Sequence, residues 1–95
     1  MDELLFDWDA ANIGHIAAHG VVPEEAEEIL LGNPMEVDFD EESGEKRWSY
    51  VGETVAGRIL RVLFTIRNDH IRVVTAFDPS PLQKRIFLAW RAKQS

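Results

Sequence analysis

The hydrophobic pattern changes period near residue 46, and that switch constrains the fold more than any other feature. Arg47 to Glu53, Arg58 to Ile66 and Ile71 to Phe77 are rich in β-branched and aromatic residues and are divided by short turns carrying Gly57 or Asn68-Asp69. They predict a three-stranded antiparallel meander. In the middle run Leu60, Val62, Phe64 and Ile66 alternate onto one face while Arg61 and Thr65 take the other, so one face is core and the other partly polar. Met35 to Phe39 has the composition of a further short strand, which makes the sheet three- to four-stranded. DEESGEK, residues 40 to 46, reads as an exposed acidic loop.

Upstream of the switch, apolar residues recur at helical spacing. Leu4, Phe6 and Trp8 alternate as a short extended segment. Asp9 is an N-cap, Ala10, Ile13, Ile16 and Ala17 form one stripe, and Gly20 closes a helix of about residues 10 to 19. Pro23 and the glutamates that follow open a second helix with Ala26, Ile29 and Leu30 as its apolar face, ended by Gly32-Asn33-Pro34. Ser80-Pro81-Leu82-Gln83 is a capping box for a third helix over about 81 to 93, with Leu82, Ile86 and Trp90 as its stripe. The order predicts an α+β fold: two N-terminal helices, a three- to four-stranded antiparallel sheet and a C-terminal helix, with the helices on one sheet face. Ninety-five residues, 45% of them hydrophobic, suit a single domain over 1–95.

The absence of cysteine rules out disulfides and thiolate metal sites and suits a reducing compartment. The acidic opening MDELLFDWD lacks the basic segment of a secretory signal, and apolar runs such as VLFTI are far shorter than a membrane span. The expectation is a cytoplasmic protein with no membrane partner. The net charge of −7 conceals an asymmetry: residues 1 to 45 hold fourteen Asp and Glu without a Lys or Arg, whereas residues 46 to 95 hold ten Lys and Arg against Glu53, Asp69 and Asp78. An acidic isoelectric point therefore does not exclude a local basic surface for nucleic acid. The alternative is self-neutralisation, with the basic strands packed near acidic elements.

His15 and His19 stand four apart on the first helix, where the wheel places them opposite Ile13, Ile16 and Ala17 and beside Asn12. A zinc site would need a third ligand, and this helix lacks the glutamate that makes an HExxH pattern specific. No metal and no cofactor is expected. His19, just before Gly20, can bond the last helix carbonyls, and either histidine has the right chemistry for a general base or a phosphate contact.

WDAANIGHIAAHGVVPEEAEEIL, then VGETVAGRILRVLFT, then HIRVVTAFDPSPLQKRIF resembles, in order and spacing, the BrnT toxin family of bacterial type II toxin-antitoxin pairs. The resemblance spans nearly the whole chain. It implies a RelE-like α+β fold, a ribonuclease activity that blocks translation, and neutralisation by a small BrnA-like DNA-binding antitoxin. RNA cleavage through the 2′-hydroxyl needs a base, an acid and cations on the phosphate, but no metal. By the resemblance Arg72 and Arg58 hold phosphate and Lys84 and Arg85 extend that surface; His19 and His15 are candidate bases by their own chemistry, and Arg61 and Arg47 are further candidate RNA contacts.

Three positions depart from the family pattern. Phe77 stands where arginine is common, and Gln83 and Phe87 stand where glutamate and tyrosine are common. Each change removes a chemical handle while keeping shape. Two functional classes follow: a ribonuclease toxin, or a catalytically degenerate RelE-like module that recognises a protein partner, through a surface such as the acidic 40 to 46 segment. A metal hydrolase built on His15 and His19 is a third.

Overall fold

The computed structural model describes residues 5–94, so Leu4 of the alternating N-terminal segment lies outside the described residues. The elements are α1 (Ala10–Ala17), α2 (Pro23–Leu31), β1 (Met35–Glu42), β2 (Glu45–Glu53), β3 (Ile59–Arg67), β4 (His70–Phe77) and α3 (Pro81–Ala92). The strands form one antiparallel meander in the order β1-β2-β3-β4. This is the expected α+β arrangement, with four strands. Phe6 adds a parallel bridge to Ile71, and Asp7 N–H donates to the Ile71 carbonyl at 2.8 Å, so the N-terminal segment pairs with the outer edge of β4.

The 40 to 46 segment is not a loop. Residues 40–42 belong to β1 and residues 45–46 to β2, and the connection is Ser43-Gly44 alone, both at positive φ (54° and 80°). Two such residues make the tight hairpin whose twist matches the strands it joins. Asp40 lies opposite Arg47 and Glu41 opposite Lys46, so the acidic run alternates as a charged edge strand rather than dissolving into solvent. Asn68 and Asp69 (φ 51° and 64°) repeat the device between β3 and β4, as the sequence predicts.

The core lies between the first sheet face and α1 with α2: Ile16, Val21, Ala26 and Ile29 pack on Leu60, Val62, Val73 and Ala76. Each of the buried Ile, Val and Leu side chains contributes about 1.5–3 kcal/mol relative to exposure. A Cβ on Gly52 would lie 2.9 Å from Ile29 Cγ2, so β2 is glycine where α2 presses closest on the sheet.

Two helix faces differ from the sequence expectation. In α1, Asn12 (4% exposed) and Ile16 (0%) point inward while Ile13 is 40% exposed. Asn12 is a strut: its amide donates to the Asp7 and Val73 carbonyls at 2.9 and 3.2 Å, and its oxygen accepts from Asp9 N–H at 2.8 Å, closing a capping box with Asp9. Polar satisfaction of backbone groups at the sheet edge has overridden the apolar stripe.

In α3 two residues of the expected stripe are turned outward, Leu82 and Ile86 being more than half exposed, while Trp90 is half-buried beside Phe87, which is 1% exposed. Alternation explains where α3 sits. Gly52 faces α2, so Val51 and Glu53 face the opposite side, and Glu53 forms an ion pair with Arg91 of α3. The third helix therefore lies on the second sheet face, not beside α1 and α2. Its N-terminus is capped by Ser80 Oγ, which accepts from Gln83 N–H at 3.1 Å. Among the described residues no helix is long and apolar enough to cross a membrane.

Candidate nucleic-acid interface on the second sheet face

Cross-strand pairing places Thr65 beside Arg72, and Val51 and Phe77 beside Arg61. A register shift between Leu63 and Phe64, with Val74 as the extra β4 residue, lets Val73 and Ala76 face the core while Arg72, Thr75 and Phe77 stay on the second face. Together with Arg47 and Arg67, these side chains make that face basic. A groove of about 230 Å³ opens against α1, with His15 on its helical wall and Arg47, Thr65, Arg67 and Arg72 across its floor.

The arginines are held by carboxylates. Arg72 pairs with Asp9 at 3.0 Å and Asp7 at 3.3 Å. The Arg72 hydrogen bond holds the Asp9 carboxyl below its usual range, helped by the Asn12 backbone N–H, and Arg72 in turn binds its proton harder because of Asp9. Arg67 lies 3.0 Å from Glu45 and lowers the pKa of that carboxyl. Arg47 lies 3.7 Å from both Glu42 and Glu45, with its Nε buried and without a hydrogen-bond partner among the described residues. Arg61 donates from Nε to Ser49 Oγ at 2.6 Å and lies 3.9 Å from Asp38. The acidic half of the chain is thus the counter-charge of the basic half.

His19 is separate from the groove floor. Its ring sits 6.2 Å from that of His15 and 5.9 Å from Phe77, and Phe77 in turn lies under the Arg61 guanidinium at 6.0 Å. Phe77 therefore links a histidine and an arginine by ring contacts where an arginine would add charge. Both histidines border the buried face of α1 rather than opposing it, because the helix is rotated by the Asn12 strut. The described residues contain no group of three His, Asp or Glu side chains able to share a metal ion.

Arg58 is a clasp at the β2–β3 turn. Its Nη1 donates to the Gly20 carbonyl at 2.8 Å and pairs with Glu25 at 3.2 Å, while Nη2 lies 3.5 Å from Asp78. It fixes the turn that follows His19. Lys84 and Arg85 stand on the first turns of α3, with no ion pair among the described residues. Gln83 is partly buried beside them.

The structure thus brings His15, Arg47 and Arg72 to one groove, sets Arg61 and His19 at either side of Phe77, and leaves Arg58 in the α1–α2 clasp. Arg67 and Glu45 escaped the sequence reading. The signal for Arg67 was present, since the alternation that pairs Arg61 with Thr65 continues to residue 67. Glu45 was hidden by the reading of its hairpin as a loop.

No curated protein matches the chain. The family described as "Ribonuclease toxin, BrnT, of type II toxin-antitoxin system" matches residues 8–80, ending at the N-cap of α3. That span contains the groove, the histidines and all four arginines of the second face, and by it this chain belongs to the BrnT family of ribonuclease toxins of type II toxin-antitoxin systems.

Proposed function

We propose that the chain is a metal-independent RNA endonuclease that blocks translation and is neutralised by a BrnA-like antitoxin. The observation that carries this reading is the groove itself, where His15 shares walls with Arg47, Arg67 and Arg72. In-line attack of a ribose 2′-hydroxyl requires a base at that hydroxyl and cations on the non-bridging phosphate oxygens. His15 is the base in this arrangement, and Arg72 with Arg47 carries the developing charge. The unpartnered Nε of Arg47 leaves a donor for a phosphate oxygen once the side chain turns toward it.

Arg61, Lys84 and Arg85 extend the backbone-binding surface. Arg58 acts as a positioning residue for His19 through the Gly20 carbonyl, and His19 serves the leaving oxygen or a neighbouring phosphate. The competing reading, a RelE-like module that binds a protein without cleaving RNA, draws on Phe77, whose ring occupies the space between Arg61 and His19 without charge.

The test is cleavage of end-labelled RNA in excess chelator by the wild type and by His15→Ala and His19→Ala. Loss of a general base lowers the rate by about 10²–10⁴-fold, so a selective loss in His15→Ala supports the assignment. Cleavage that is equal in all three removes both histidines from the chemistry, and no cleavage by the wild type supports the binding module.

A further inference from the structure

The first sheet face is only partly covered. Beyond the helices, toward the β1 edge, Phe39, Trp48 and Phe64 form a cross-strand row with ring centroids 5.5 and 5.6 Å apart, joined by Tyr50 at 5.6 Å from Phe64. Phe39 is 47% exposed and Ile66, past the end of the row, 52%. Aromatic rings in contact along a sheet, Trp48 and Phe64 stacked and the others tilted, yet partly open to water, mark a recognition surface. The row abuts an eight-residue edge strand, β1, whose outer side has no strand paired to it among the described residues.

Charge decides what fits. β1 presents Glu36, Asp38, Asp40, Glu41 and Glu42, and among the described residues neither Asp40 nor Glu41 has an ion pair. Two copies of the chain meeting at this edge would oppose like charges, and RNA would be repelled. A cationic polypeptide would meet carboxylates on both sides of the strand and an aromatic surface on one.

We propose that β1 with its aromatic row is the docking site for the antitoxin, which adds an extended segment alternating Lys or Arg with apolar residues along the β1 edge as a fifth strand. This rests on the toxin reading and locates its partner away from the catalytic groove. The antitoxin then inhibits by its bulk reaching around the β1–β2 hairpin toward Arg47, whose ion-pair partners Glu42 and Glu45 flank that turn.

The experiment uses the antitoxin produced from the reading frame adjoining this chain's own. Its affinity is measured for the wild type and for a Phe39→Ser, Asp40→Lys, Glu41→Lys variant, beside RNA cleavage by each. Amide exchange of the wild type is followed with and without the antitoxin. The expected result is an affinity lowered by about tenfold or more, as for loss of a central aromatic anchor, unchanged cleavage, and slowed exchange over residues 35–42 in the complex. Equal affinity for both proteins, or slowing confined to the second face, overturns the docking site and leaves the toxin reading intact. An antitoxin that binds neither protein overturns both.

Discussion

Asp9, the N-cap of α1, and Arg72 of β4 close a clasp across 63 residues of sequence, with Nη2 donating to Oδ1 at 3.2 Å and Nη1 lying 3.0 Å from Oδ2. The same carboxylate accepts from the Ala11 and Asn12 N–H groups. Helix start and sheet edge are therefore coupled through one side chain. Folding lowers the Asp9 pKa below its ordinary 3.8, so its contribution is complete above that value and is lost as pH falls through the lower folded value. Asp9→Asn keeps a capping oxygen but not the charge. Thermal melts from about pH 2 to pH 7 should show a shallower acid limb for this variant and a melting point a few degrees lower at neutral pH; identical acid limbs would remove Asp9 from the linkage.

Asn12 satisfies two carbonyls and one N–H in a site 4% exposed. Truncation to alanine orphans these groups, and Asn12→Ala should lose roughly 2–4 kcal/mol by urea denaturation. Ile13→Ala, one residue along on the outward face, should change stability by less than about 1 kcal/mol. The reverse order would restore the apolar stripe as the face of α1 that carries stability.

Glycines at two positions should respond with opposite signs. Gly52→Ala forces a methyl to 2.9 Å from Ile29 Cγ2 and 3.3 Å from Pro34 Cβ, costing about 1–3 kcal/mol, part of which Ile29→Ala in the same protein should return. Gly14→Ala meets nothing within 4 Å and should stabilise by up to about 1 kcal/mol through helix propensity. Calorimetric melting of the two single variants checks both signs.

Phe87 is 1% exposed and in ring contact with Trp90 at 6.0 Å, with the Arg91 guanidinium 5.7 Å from its own ring. A tyrosine there buries a hydroxyl in a packed site, so Phe87→Tyr should cost about 1–3 kcal/mol and leave RNA cleavage unimproved. Phe77→Arg is the informative restoration, because Phe77 lies on the groove face beside Arg61 and His19. Faster cleavage by Phe87→Tyr than by Phe77→Arg would return α3 to the chemistry.

Most elements were legible because local chemistry and global fold agree: Asn68-Asp69 demands positive φ, Ser80 and Asp9 cap, and Leu60 and Val62 alternate inward. The misread places are those where a long-range demand won. Asn12 faces inward because the Val73 carbonyl needs a donor, and that rotates both histidines. Phe87 is buried because α3 lies on the second face, which a helical wheel of α3 alone cannot tell. The acidic 40 to 46 run reads as an exposed loop in composition, yet it holds register through partners in β2 and β3. The groove arginines were visible singly, and the plain register beside the Asn68-Asp69 turn gathers Arg72 with Thr65 and Arg67; the shift farther along β4 is what sets Phe77 beside Arg61.

Each arginine of the groove already has a carboxylate of its own chain, so under the proposed function an incoming phosphate would exchange one anion for another instead of filling a vacancy. The freed Asp7, Asp9, Glu42 and Glu45 must then take up cations from solution while the RNA releases its own. Salt should accordingly weaken binding less steeply than the number of arginines implies, and discrimination will fall on geometry: an anion displaces these carboxylates only where it reaches several guanidinium groups at once.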